Sequence, residues 1–297
     1  MNFSVLERDE EKKEVAFYLI LEKMRRNRGV DFSLYRQGTL KRRLDARVRS
    51  VGCGDTSQYL IYLNHVPQEY DRLLEALTVN VTEFFRDPEM FSFLQKKILP
   101  KIIEKKEAQK RRLIRVWSAG SSSGEEAYSL AILFLETLKS KAADFQVRVY
   151  GTDVDPACIR EAKQGTYEPT SVKNVPTSFL KKYFSPREGS YEVKNFLKEF
   201  VHFEPRDLTL SEALAHVDLI LCRNVLIYFT RPLQEKIYAT FAGALNEEGY
   251  LVLGKVESIT GASLQPWAPI DIGERIYQKK NKGDKEFSEE GIQGGGS

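Results

Sequence analysis

The stretch LIRVWSAGSSSGEEAYSLAILFLETLKS, residues 113–140, decides the fold. Its opening, LIRVWSAG, is a short apolar run closed by Ser and Gly, the pattern of a buried strand. GEEAYSLAILFLETLKS then carries the apolar content and length of a helix. Between them, Gly120 and Gly124 let the backbone turn tightly and approach a ligand. The helix start offers unpaired amides beside them.

The same alternation recurs downstream. QVRVYGTDVD (146–155) reads as a strand and DPACIREAKQG (155–165) as a capped helix closing at Gly165. VDLILCRN (217–224) is a third strand. RPLQEKIYATFAGALNEEG (231–249) is a helix ending at Gly249, and YLVLGKVES (250–258) a fourth strand. ERIYQKK (274–280) suits a last, antiparallel strand. Strands alternating with helices predict a doubly wound, mostly parallel α/β sheet. Residues 166–206 interrupt that rhythm, and SYEVKNFLKEFVHFEP has the look of short antiparallel strands, a small inserted subdomain.

Upstream, residues 11–112 read as helical. In TLKRRLDARVRSVG (39–52), Leu40, Leu44 and Val48 make an inward stripe, with Arg42, Arg43, Arg47 and Arg49 on the remaining surface. In the helix starting at residue 87, Asp87 is expected as N-cap, Pro88 at the first position, and a kink or break at Pro100. The expected division is a helical domain over 11–86, a sheet domain over 87–280 with its insert at about 166–206, and a disordered tail over 281–297.

Composition narrows the function classes. No apolar run reaches the ~20 residues of a membrane span, and MNFSVLERDEEKKEV lacks the apolar stretch of a secretory signal. A cytoplasmic protein is expected. The three cysteines, Cys53, Cys158 and Cys222, are far apart and form no CxxC pair, so neither a disulfide framework nor a metal site is expected. Only three histidines occur. The net charge of +3 hides an asymmetry: residues 23–49 hold ten basic residues against two acidic ones. Such a stretch points to an acidic partner.

Four places carry chemistry. The loop of VWSAGSSSGEEAYS is neither GxGxxG nor a P-loop, for it lacks the phosphate-binding Lys. Glu125 and Glu126 in the first helical turn would repel a pyrophosphate and suit a cationic ligand such as S-adenosylmethionine; they read equally well as ordinary charge at a helix start. Asp153, about 30 residues on at a strand end, can accept from both ribose hydroxyls, a device shared by nicotinamide and S-adenosylmethionine enzymes. Asp155 reads as the next N-cap. Arg223 and Asn224 end the third strand, where ligands bind in doubly wound sheets, though a structural terminus is the alternative. Tyr228 can turn its hydroxyl to the cleft, and Asp207 follows another strand. Lastly NVTEFFRD (80–87) is an aperiodic polar and aromatic octet in which Asn80, Thr82 and Arg86 are the candidates and Phe84 and Phe85 the anchors.

Together, NVTEFFRD, WSAGSSSGEEAYS, TDVD, RDL and CRNVLIYF resemble, in type, order and spacing, the signatures of the CheR family of chemotaxis receptor methyltransferases. The resemblance runs from about Asp31 to Lys279. It implies an all-α N-terminal domain joined to a Rossmann-like S-adenosylmethionine-dependent methyltransferase domain with an inserted β-subdomain. It implies a cofactor site from Asn80, Thr82, Arg86, Gly120, Glu125, Glu126, Asp153, Asp207, Leu208, Arg223 and Asn224, with Arg86 and Tyr228 nearest the reacting centre. The implied reaction esterifies receptor glutamates and leaves S-adenosylhomocysteine. The implied partner is the receptor's cytoplasmic helices, met by Arg42, Arg43, Arg47 and Arg49 of a monomer with no nucleic acid partner and no membrane insertion. The chain departs from the family in reading AGSSSGEEAY where many members read AASTGEEPY, and Asp207 where many have Asn. Its turn PREGSYEV is short and lacks the Gly-rich loop of members that dock on a receptor's C-terminal pentapeptide, so pentapeptide-independent recognition is expected. The alternative acceptors for such an enzyme are RNA or another protein, and the rivals outside this class are a nicotinamide oxidoreductase and a non-catalytic signalling protein that keeps the fold but only binds partners.

Overall fold

The computed structural model describes residues 3–210 and 214–281. Residues through Val81, together with Tyr228–Gln234, form one compact unit, and Thr82–Ile227 with the chain from Glu235 form a second.

The first unit holds four helices: α1 (Phe3–Arg28), α2 (Gln37–Ser50), α3 (Thr56–His65) and α4 (Glu69–Leu77). The stripe Leu40, Leu44 and Val48 is buried, as its spacing requires. Phe17, Ile20, Leu21 and Met24 of α1 and Leu73, Leu74 and Leu77 of α4 complete the apolar interior. Asp55 caps α3 by accepting from the Gln58 amide at 2.9 Å. One buried polar cluster crosses this packing. Glu69, fully buried, accepts two bonds from Arg47 at 2.7 Å each and one from the Tyr59 hydroxyl at 2.7 Å.

The basic stretch is therefore less available than its count suggests. Arg47 points inward to Glu69, Arg28 pairs with Asp71, and Lys41 pairs with Glu14. Arg43 donates to the carbonyls of Ala76 and Leu77 at the end of α4. Arg42 and Arg49 are the two named arginines of α2 that are exposed.

The second unit begins with α5 (Pro88–Phe93), a π-helical turn over Leu94–Ile98, and α6 (Leu99–Ala108). The irregularity is thus the π-helical turn immediately before Pro100, which is the second residue of α6. The strands are β1 (Leu113–Ala119), β2 (Gln146–Asp153), β3 (Thr166–Tyr167), β4 (Phe184–Arg187), β5 (Ser190–Val193), β6 (Val201–Pro205), β7 (Val217–Cys222), β8 (Leu245–Leu253), β9 (Trp267–Asp271) and β10 (Ile276–Lys279). Seven form one sheet in the order β6-β2-β1-β7-β8-β10-β9. The first five are parallel; β10 runs antiparallel to both β8 and β9. From β1 the chain builds outward to β2 and β6, then returns to build β7 and β8. The switch point therefore lies between β1 and β7, where an α/β sheet opens its binding crevice. Helix α7 (Glu125–Leu138) is buried along most of its length, which is why its sequence is apolar on nearly every face. Helix α8 (Pro156–Gln164) has Asp155 as N-cap, accepting from Ala157, and Gly165 in the left-handed region as C-cap.

Several boundaries differ from the sequence reading, the first being the helical unit, which ends at Val81 and not at residue 86. Val201–Pro205 is not part of the inserted subdomain; it pairs in parallel with β2 at the edge of the main sheet. Buried Val201 and Phe203 alternate with exposed His202, a pattern that serves a parallel edge as well as a hairpin. The insert proper is the three-stranded antiparallel sheet β3-β5-β4. Its β4–β5 hairpin turns through Glu188 and Gly189, with Gly189 at φ +69° and Arg187 paired to Ser190. A further difference is the end of α9 (Arg231–Ala244): the helix stops at Ala244, not Gly249, and β8 begins at once with Leu245 opposite Val217. Asn246 donates to Asp218 at 2.6 Å, and Glu248 takes φ +58°, so the backbone turns into the sheet before the glycine. The expectation for the tail falls, beyond Asn281, outside the described residues.

Candidate functional site

The loop after β1 is built on close backbone approach. The amides of Gly120 and Ser121 both donate to the Thr152 carbonyl, at 2.8 and 2.9 Å. Gly120 has φ +77°, and a Cβ there would stand 2.4 Å from Val225 Cγ2. Gly124 has φ +95°, and a Cβ there would meet Ala162 and Phe203, each at 2.8 Å. Both glycines are thus required by conformation and by space.

Carboxylates fix this loop. Asp153, at the end of β2, accepts from the Ser122 amide at 2.8 Å and the Asp155 amide at 3.0 Å. Burial pushes its acid above the usual carboxylate range, and these amides pull the other way. Glu125 is 3% exposed and accepts from the Ser123 hydroxyl at 2.8 Å. Burial raises its pKa to about 7. Tyr167 donates its hydroxyl to the Ser123 carbonyl at 2.7 Å, joining the inserted sheet to the same loop.

Beyond β7 the arrangement differs from the sequence expectation. Buried Arg223 centres an ion triad with two partly exposed carboxylates: it pairs with Asp87 and, at 3.3 Å, with Glu126. Glu126 also accepts from the Ser118 hydroxyl at 2.8 Å. Asp87 uses its carboxylate here and does not cap α5 with its side chain. So Arg223 and Glu126 tie β1, β7 and the 82–87 segment together. Arg86 lies in that segment between Phe85 (φ +52°) and Asp87 (φ +60°). The Phe85 amide is held by Ser129 Oγ at 3.0 Å, and the Phe84 amide by the Ser171 carbonyl at 2.9 Å. Thr82 is partly buried in the same unit.

Asn224 takes a left-handed conformation, φ +61°. Its amide donates to Glu257, a residue sequence reasoning missed. Glu257 is 4% exposed and follows β8 by a short turn. The signal was an acidic residue just past a parallel strand's carboxyl end, hidden because GKVES read as strand. Asp207, past β6, accepts from the Thr209 amide at 2.8 Å, with Leu208 partly buried beside it. Asn80 and Tyr228 belong to the helical unit. There the Tyr228 carbonyl accepts from the Arg36 amide at 2.8 Å, and the Arg43 guanidinium lies 5.3 Å from the Tyr228 ring centroid.

Past the strand ends, four buried oxygens have no protein partner, Ser121 Oγ, Ser122 Oγ, Asn224 Oδ1 and Asp207 Oδ2, and the buried donor Arg223 Nε has none either. Native structures rarely leave such atoms unpaired. The four oxygens can accept, and all lie just past strand carboxyl ends. An acceptor-rich loop around Gly120, flanked by Asp153 and Glu125, suits a ligand bearing an ammonium, ribose hydroxyls and an exocyclic amine. The residues present fit S-adenosylmethionine. Among the described residues no cluster of His, Cys, Asp and Glu has the spacing of a metal site. No described helix is long and apolar enough to cross a membrane.

Comparison with known proteins agrees with this chemistry. The family model "CheR methyltransferase, SAM binding domain" matches residues 80–268, and "CheR methyltransferase, all-alpha domain" matches residues 16–78. The chain is 32% identical to a chemotaxis protein methyltransferase of Borreliella burgdorferi over 79% of this chain and 85% of that one. It is 29% identical to a putative methyltransferase, Cher3, of Pseudomonas putida over 91% and 98%. It is also 32% identical, over 86% of its length, to an uncharacterized 104.1 kDa protein in the hypE 3' region of Rhodobacter capsulatus, of which it spans 26%. The chain belongs to the CheR methyltransferase family, with S-adenosylmethionine as its cofactor.

Proposed function

We propose that this protein transfers a methyl group from S-adenosylmethionine to glutamate carboxylates on the cytoplasmic helices of methyl-accepting chemotaxis receptors, giving glutamate methyl esters and S-adenosylhomocysteine. The reading is carried by the buried acceptors around the Gly120 turn, in a chain whose relatives include a chemotaxis protein methyltransferase.

The chemistry needs little from the protein beyond alignment. A glutamate has a reference pKa of about 4.3, so the acceptor is already an anion at neutral pH. When bound, S-adenosylmethionine supplies a methyl activated by its sulfonium. One carboxylate oxygen forms the new O–C bond as the C–S bond breaks, and no proton moves. Charge is neutralised along the way, so a tight clamp on the carboxylate would hold back the ground state. Holding the partners in line can contribute about 7–11 kcal/mol. We assign Arg86 and Tyr228 to that positioning. Asn80, Thr82, Gly120, Glu125, Asp153, Asp207, Leu208 and Asn224 are assigned to the cofactor, with Glu126 and Arg223 acting through the ion triad.

Acidic receptor helices are the partner that fits the basic helical unit. Arg42 and Arg49 are assigned to that contact, because Arg43 and Arg47 are engaged inside the unit. The tight Glu188–Gly189 turn supports recognition without a receptor's C-terminal pentapeptide. Receptors with and without that pentapeptide are therefore expected to be methylated at equal rates.

The deciding assay offers tritiated S-adenosylmethionine with receptor cytoplasmic fragments beside tRNA and rRNA. Label should enter the receptor and leave as methanol in mild alkali, as an ester does. Alkali-stable label, or label in RNA alone, sinks the glutamate reading.

A further inference from the structure

We infer that Glu257 is a positioning residue for the cofactor site: its carboxylate clamps the turn after β7 and so aims Asn224. This rests on the cofactor reading above.

Four backbone amides donate to this one side chain. Oε2 accepts from Gly254 at 2.7 Å and Asn224 at 2.9 Å. Oε1 accepts from Leu226 at 2.7 Å and Ile227 at 3.3 Å. The loop that presents it is closed by the Glu257 amide donating to the Gly254 carbonyl at 2.9 Å. The carboxylate therefore joins the ends of two neighbouring parallel strands, β7 and β8, through main-chain groups alone.

Without a constraint the turn has no reason to keep this shape. Asn224 is not glycine, yet it holds φ +61°, a conformation that persists where surroundings over-determine it. Its amide serves the clamp, while its Oδ1 is buried with no protein partner. The conformation directs an acceptor toward a ligand. Gly254 makes the approach possible, since a Cβ there would stand 2.8 Å from both the Asn224 amide nitrogen and Glu257 Oε2.

The four partners are all donors. Glu257→Gln replaces one acceptor oxygen with an NH₂ that faces N–H groups, leaving buried amides unpaired. In the full chain, titration calorimetry with S-adenosylhomocysteine should show at least a tenfold loss of affinity for Glu257→Gln, measured well below its thermal midpoint. A loss of fold alone would lower the midpoint and the active fraction but leave the dissociation constant unmoved. A double-mutant cycle gives the sharper test. If Glu257 acts through Asn224, then Glu257→Gln and Asn224→Ala are strongly non-additive in affinity. Additive effects, or unchanged affinity in folded Glu257→Gln, overturn the inference. If Glu257→Gln does not fold, Gly254→Ala wedges the same clamp from the other side, and unchanged affinity there overturns it equally. Wild-type protein that binds no S-adenosylhomocysteine removes the cofactor reading and this inference together. Wild-type binding with indifferent variants removes only the inference.

Discussion

At the scale of single residues, the 82–87 segment is where the backbone is most constrained. Phe85 and Asp87 are both left-handed and neither is glycine. Each such residue costs about 1–3 kcal/mol and survives only when its surroundings hold it. Ser129 holds the Phe85 amide and Arg223 holds the Asp87 carboxylate. The residue aimed between them is Arg86. Arg86→Ala should lower turnover at least about a hundredfold, on the order of 3 kcal/mol, with folding intact by circular dichroism. Near-normal methyl transfer would remove Arg86 from the mechanism. Glu125 gives a second prediction at this scale. Burial raises its folded pKa to about 7 from the ordinary 4.5. Its contribution to stability is therefore complete below about pH 4.5 and is lost as pH rises through about 7. Glu125→Gln should be as stable as wild type near pH 4.5 and more stable at pH 8, by up to about 3 kcal/mol. Chemical denaturation of the cofactor-free protein at both pH values checks this; equal stability at pH 8 would refute it. Both residues stand out in the sequence as candidates, Arg86 in the aperiodic NVTEFFRD and Glu125 as an acidic residue in the first turn after the glycine loop. Glu257 does not, because nothing in GKVES tells a strand from the turn that follows it.

Elements were legible where one face alone decides them. The stripe Leu40, Leu44 and Val48 gave α2, and the apolar runs ending in Gly or Asp gave β1 and β2. They were illegible where the outcome depended on a distant partner. Edge strand β6 looked like part of a hairpin because its pairing with β2 is invisible locally. The end of α9 was misplaced because Asn246 finds Asp218, 28 residues earlier. The orientation of the arginines on α2 failed in the same way: polar spacing could not separate those facing solvent from those facing Glu69. This yields a paired prediction. Arg47→Ala strands a fully buried carboxylate and should cost about 3–5 kcal/mol of stability in denaturant titration. Arg42→Ala with Arg49→Ala should change stability by less than about 0.5 kcal/mol, since both are exposed. That double variant should instead raise KM for receptor with kcat kept. The reverse pattern would show that α2 is not the receptor contact.

For the molecule as a whole, the absence of proton transfer from the proposed reaction makes its pH dependence specific. An enzyme that needed a general base near neutrality would show a rising limb in kcat around the pKa of that base. Here the acceptor is ionised well below pH 6, and the three histidines are His65, His202 and His216, all exposed. Saturating kcat should therefore be flat from about pH 6 to 9. Cofactor binding should not be flat. Glu125 is close to half ionised near pH 7 in the cofactor-free protein, and pairing with the ammonium of the nucleoside favours its charged form. Binding near pH 7 should then release protons, seen as a calorimetric enthalpy that varies with the buffer's ionisation heat. The affinity should weaken as pH falls below 7, by up to about tenfold per unit from this single group. In Glu125→Gln both effects should vanish while kcat stays flat. A bell-shaped or rising kcat in the wild type would require a base on this chain and would overturn the carboxylate as an unaided nucleophile. An affinity indifferent to pH between 5 and 8 would instead remove Glu125 from the cofactor site and leave the reaction chemistry standing.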